Sequence, residues 1–60
     1  GNTLGVHQSR AEYFFLNGAM PPALEQLQLA LKLAQDNVTV ERINRRMGFF
    51  HQVGRALGQF

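Results

Sequence analysis

The chain has 60 residues, a net charge of +2 and no cysteine. A chain this short holds one small domain at most and hides only about 60% of its unfolded surface; without thiols, neither a disulfide nor a thiolate metal site can brace it. The 45% hydrophobic share argues against disorder, and no apolar run approaches the roughly 18–20 residues that cross a bilayer.

No charged stretch leading into an apolar core marks a signal peptide. The opening Gly1-Asn2 reads as a cloning remnant and carries no functional weight. Thr3 is the expected N-cap of a first helix. Steps of about 100° place Leu4, His7, Ala11, Phe14 and Phe15 on one face. Val6, Tyr13 and Leu16 fall elsewhere, so this helix is apolar on more than one side, as a sandwiched helix is. Asn17-Gly18 supplies a left-handed stop, because Gly takes positive φ without steric cost.

Pro21-Pro22 suits the first turn of a second helix, where backbone N–H groups have no intrahelical partner. Its stripe is Ala23, Leu24, Leu27, Ala30, Leu31 and Ala34, with Glu25, Gln28 and Lys32 opposite. Small residues recur where two helices would cross: Ala11, Gly18, Ala23 and Ala30. Phe14, Phe15, Leu24, Leu27 and Leu31 would fill the flanking grooves. Gln35-Asp36-Asn37 breaks the pattern. Thr39 is then the expected cap of a third helix over residues 40–57, with Glu41 in its first turn.

On that helix Val40, Ile43, Met47, Phe50, Gly54 and Leu57 share a face. Phe49, Val53, Ala56 and Phe60 form a second stripe. Phe49 lies about 100° from Phe50, so one packing surface cannot bury both. Gly48, Gly54 and Gly58 should each weaken the helix by roughly 1 kcal/mol while permitting close approach.

The spacing Ala11-x2-Phe14-x3-Gly18-x4-Ala23-x3-Leu27-x2-Ala30-Leu31 resembles one tetratricopeptide repeat over residues 4–37. His7 stands where that family often has Trp, Arg10 where Leu is usual, and Gln35 where a terminal Pro is frequent. The fold this implies is all-α: a tetratricopeptide-type antiparallel hairpin followed by a capping-like third helix over residues 38–60. The whole chain would be one small helical domain or a fragment. The residues around the repeat are similar to the C-terminal repeat region of BepA-like periplasmic zinc metallopeptidases. Those proteins often continue with Arg-Ile-x-x-Arg, and Arg42-Ile43-Asn44-Arg45-Arg46 stands in that place. Beyond Met47 the likeness stops. The resemblance implies a periplasmic, zinc-dependent hydrolase as parent. In the repeat family the first helix of each pair lines a groove for extended peptides, which would assign Gln8, Glu12, Phe15 and Leu16 to that groove. Phe15 is weighed as core before ligand contact.

The chain itself reads as non-catalytic and free of cofactors. A zinc protease needs HExxH, and this sequence has none. His7 is expected in the hairpin core and His51 at a helix edge. Ser9 is the only serine and falls inside a helix, which disfavours a Ser-His-Asp triad. No GxGxxG or Walker-type loop is present. Glu12, Glu25, Asp36 and Glu41 are expected to be solvated. Arg42, Arg45, Arg46 and Arg55 keep a small nucleic-acid-binding helix open as the alternative, and residues 47–60 a membrane-surface helix; neither is favoured. Protein or peptide partners are expected. Surplus apolar residues, Phe49, Val53, Ala56 and Phe60 with Leu29 and Leu33, should drive self-association, most simply as a two-fold dimer.

Overall fold

A computed structural model of the protein describes residues 2–60. These form three helices and no strand: α1 (Thr3–Leu16), α2 (Met20–Leu33) and α3 (Asn37–Ala56). The helices pack in sequence, α1 on α2 and α2 on α3. The expected all-α class is the one found. Three-residue links at 17–19 and 34–36 join them, which makes consecutive helices antiparallel and sets α1 and α3 side by side in the same direction.

The caps differ from the sequence expectation at two starts. Asn2, not Thr3, caps α1: its side-chain oxygen accepts from the Gly5 N–H at 3.0 Å, and its carbonyl takes the Val6 N–H. Thr3 is therefore the first helical residue. Gly1 lies outside the described residues. At α3 the cap is Asp36 on extended backbone, and Thr39 already lies in the first turn. The Asp36 side chain makes no capping bond. Ala34 leaves α2 in an extended conformation, so the chain reverses early and α3 begins three residues sooner than expected.

Both Gly18 and Gly58 sit at φ 73° and close the same motif. The Gly18 N–H bonds the Phe15 carbonyl and the Ala19 N–H the Phe14 carbonyl, both at 2.9 Å. After α3 the Gly58 N–H bonds the Arg55 carbonyl at 3.1 Å and the Gln59 N–H the Gly54 carbonyl at 2.8 Å. These paired bonds satisfy carbonyls that a helix end otherwise leaves open. Gly58 thus terminates α3 instead of weakening it. Leu57, expected on the buried face, falls past the helix end and is exposed.

The start of α2 has no side-chain cap, yet none of its N–H groups is stranded. The Ala19 N–H is used in the turn after α1. The Met20 N–H donates to the Gln59 side-chain oxygen at 2.8 Å. Pro21 and Pro22 have no N–H. The Ala23 N–H begins the helical ladder at the Ala19 carbonyl.

The core is Ala11, Met20, Ala23, Leu24, Leu27, Ala30, Ile43 and Phe50, with Leu4, Phe14, Leu31 and Ala34 among those packed around it. Ala11, Ala23 and Ala30 are completely buried, as close helix crossings require. Gly18 is not a crossing point: no atom lies within 4 Å of where its Cβ would be. Gly54 is one. A Cβ there would stand 3.1 Å from the Met20 Cβ and would overlap the Phe60 ring.

Candidate functional site

Where α1 runs beside α3, long side chains bridge helices whose backbones stay apart. Phe15 stacks on Phe50 with ring centroids 4.6 Å apart and planes 10° from parallel. Phe49 tilts against the same Phe15 ring at 5.5 Å. Phe50 is fully buried while Phe49 keeps 44% of its surface in water. The Arg46 guanidinium lies over all three rings, 5.1–5.2 Å from each centroid. At that range a cation is attracted to the ring faces.

The same guanidinium grips Glu12 in a two-pronged bond, Nε to Oε2 at 2.8 Å and Nη2 to Oε1 at 2.6 Å. This corrects the expectation that Glu12 is merely solvated. Hydrogen bonding to Glu12 raises the Arg46 pKa above its ordinary value. Partial burial pulls the other way, and the Glu12 charge raises it further. Of the four arginines on α3, Arg46 is therefore neutralised by a neighbour, while Arg42, Arg45 and Arg55 are exposed.

The residues assigned to a peptide groove are divided. Phe15 and Glu12 are engaged with α3, as above. Gln8 and Glu12 help line a shallow depression on α1 with Asn2, Gly5, Val6 and Ser9. Leu16 stands 81% exposed. The second stripe of α3 is also divided. Val53 is half-buried against the core and Ala56 is exposed. Phe60 does not continue the stripe, because the Gly58 turn carries it back to the His51 ring, 5.2 Å away, and to Gly54. Leu29 and Leu33 are exposed on α2.

Two polar fastenings escaped the sequence reading. His7 Nδ1 meets the Gln26 side-chain oxygen at 2.8 Å and ties α1 to α2; with an oxygen as acceptor, that ring nitrogen donates. Gln59 reaches back 39 residues to Met20, and its amide nitrogen donates to the Gly18 carbonyl. No local pattern announces either contact. The Glu12–Arg46 pair likewise joins residues 34 apart in sequence and has no local pattern that announces it.

Among the described residues no group of three or more His, Cys, Asp or Glu is placed to hold a metal ion, and no helix is long and apolar enough to cross a membrane. The sequence matches no known protein family, no curated protein and no solved structure.

Proposed function

We propose that this chain is a non-catalytic protein-interaction module built on a tetratricopeptide-type hairpin and the first helix of a following unit. One observation supports it above the rest. The first and third helices begin 34 residues apart, at Thr3 and Asn37, which is the period of that repeat. Two 14-residue helices with short links fit the same unit. An extended peptide is the expected ligand, held along α1 at the depression that Gln8 and Glu12 help line. The larger zinc metallopeptidase to which the module would belong rests on the resemblance of residue runs alone, and its catalytic motif would lie outside this chain.

The test is selection of a random peptide library on the immobilised chain. Recovered peptides should lose affinity on Gln8→Ala and keep it on Gln28→Ala, since Gln28 is an exposed residue of α2. A library that yields no binder, or binders indifferent to Gln8, would overturn the reading.

Self-association through α3 belongs to the same proposal. Sedimentation equilibrium should show mass rising with concentration, with Phe49→Ala reducing the rise. A monomer at every concentration removes this part.

A further inference from the structure

Of the asparagines in the chain, only Asn17 precedes a glycine. An Asn-Gly peptide can modify itself, because no Cβ on the second residue shields its amide nitrogen. The Gly18 nitrogen, having lost its proton to hydroxide, attacks the Asn17 Cγ. An N–Cγ bond forms, the Cγ–Nδ2 bond breaks, and ammonia leaves after taking a proton from water. Water then opens the cyclic imide at either carbonyl. Breaking the bond to Cγ leaves an aspartyl residue. Breaking the bond to the main-chain carbonyl leaves an isoaspartyl one, whose backbone runs through the former side chain. Asn2, Asn37 and Asn44 are followed by Thr3, Val38 and Arg45, whose side chains hinder the same attack.

Asn17 is exposed, so water and hydroxide reach it, yet the fold holds it in an unreactive shape. At ψ 6° the Gly18 nitrogen eclipses the Asn17 main-chain nitrogen and is turned away from the side-chain bond. The Gly18 N–H is already given to the Phe15 carbonyl at 2.9 Å. The Asn17 amide points backwards, its Nδ2 donating to the Tyr13 carbonyl at 2.8 Å. Ring closure requires ψ to rotate, the N–H to be freed and the side chain to swing forward, all at once. Gln59 opposes that motion from the far side of the peptide. Its amide nitrogen donates to the Gly18 carbonyl while its oxygen accepts from the Met20 N–H. Rotation about the Asn17 ψ would pull Gly18 out of this grip.

We infer that Asn17 is a self-modification site kept latent by the chain's own tail, with Gln59 as the latch. Release of Gln59 lets the turn between α1 and α2 open locally, and only the opened turn deamidates. The product does not close again. A carboxylate at position 17 has no N–H for the Tyr13 carbonyl, and it stands at the negative end of α1, whose last turn carries no basic residue. The isoaspartyl form also adds a backbone carbon ahead of Gly18, which breaks the register of the paired turn bonds. Each opening that lasts long enough is therefore recorded as a covalent, one-way change at the α1–α2 hinge. This inference is independent of peptide binding and of the repeat reading.

The test follows deamidation of the whole chain at one mildly alkaline pH. Trypsin cuts after Arg10 and Lys32 and releases residues 11–32, in which Asn17 is the only asparagine. Chromatography and mass spectrometry then separate the unreacted, aspartyl and isoaspartyl forms. Local opening and closing are far faster than the chemistry, so the rate follows the open fraction. The folded chain should react roughly tenfold or more slowly than the same chain in guanidinium chloride. Gln59→Ala should speed the folded reaction about five-fold, the loss of one hydrogen bond's stabilisation of the closed turn. Ile43→Val separates local from global opening. It trims the core at a buried residue, about 16 Å along α3 from the Gly54 crossing, and costs a comparable amount of stability. Its deamidation rate should stay near that of the parent. The isolated isoaspartyl chain should melt roughly 5 °C or more below the parent. A folded chain that reacts as fast as the unfolded one would overturn the inference, as would Gln59→Ala reacting no faster than the parent. Ile43→Val accelerating as much as Gln59→Ala would also overturn it, because the gate would then be unfolding of the whole molecule.

Discussion

Removing the Glu12 carboxylate and removing the Arg46 guanidinium are different perturbations. About two-fifths of each side chain is in water, so screening holds the ion pair to below about 1 kcal/mol. Arg46 also covers three phenylalanine rings, and its stem excludes water from them. Arg46→Ala should therefore cost about 1–2 kcal/mol in urea unfolding, and Glu12→Gln distinctly less. Salt separates the two, since 1 M NaCl should shrink the Glu12 effect and spare most of the Arg46 effect. The sign of the pH dependence follows from the raised Arg46 pKa. A cation whose pKa rises on folding contributes fully below its unfolded value and loses that contribution only as pH climbs through the folded one. The difference between the parent and Arg46→Ala should accordingly stay flat from pH 7 to pH 10; a decline inside that window would contradict the assignment. Gln59 poses the converse problem, a neutral side chain with two backbone partners. Gln59→Ala should cost about 1 kcal/mol and speed hydrogen exchange at the Met20 amide. Gln59→Glu should restore the acceptor for Met20 while setting a carboxylate oxygen against the Gly18 carbonyl, so its stability should lie at or below that of the alanine variant.

Within α3 two glycines call for opposite outcomes. Gly48 has helical neighbours and no atom within 4 Å of a would-be Cβ. Gly48→Ala should stabilise by about 0.5–1 kcal/mol, the propensity difference alone. Gly54 gains the same propensity but meets the Met20 Cβ at 3.1 Å and the Phe60 ring. Gly54→Ala should lose about 1 kcal/mol or more net, because a main-chain-anchored Cβ cannot swing away as a flexible tip can. Urea midpoints that move the same way in both variants would refute the crossing. Sequence alone distinguishes these glycines only weakly, since the pattern of one helix does not say which turn a partner crosses. The same limit explains what was legible elsewhere. α2 was readable because proline pair, apolar stripe and helix propensity agree. Asn17-Gly18 was readable because positive φ has few substitutes. The starts of α1 and α3 were not, since Asn2 competes with Thr3, and Asp36 with Thr39, by similar chemistry. The placement of Phe60 depended on where α3 ended, and Gly58 fixed that end.

At the scale of the molecule, eight buried side chains hold together a body 33 × 20 × 13 Å in extent. A chain of this length commonly has only about 3–9 kcal/mol of stability. Each fastening is then a sizeable fraction of the whole. The tail, residues 58–60, concentrates three of them. Gly58 and Gln59 close the end of α3 through backbone bonds. The Gln59 side chain joins the start of α2 to the turn after α1. Phe60 lies over Gly54 beside His51. Ending the chain at Leu57 would remove all three and place a carboxylate at a helix C-terminus, where the helix dipole disfavours it. The expected loss is about 2–3 kcal/mol, from two open hydrogen bonds and the lost cap together. For a domain this small that corresponds to a melting point lower by roughly 10–20 °C, measured by circular dichroism at 222 nm. Exchange should quicken first at Met20 and Ala23, where α2 meets the tail, and last at Leu27, in the middle of the core. A truncated chain that melts within a few degrees of the parent would show that α2 holds α3 without the tail. The Gly54–Met20 crossing would then hold that end without the tail, and Gly54→Ala should still cost stability in the truncated chain but less than in the full one, because the overlap with the Phe60 ring goes with the tail.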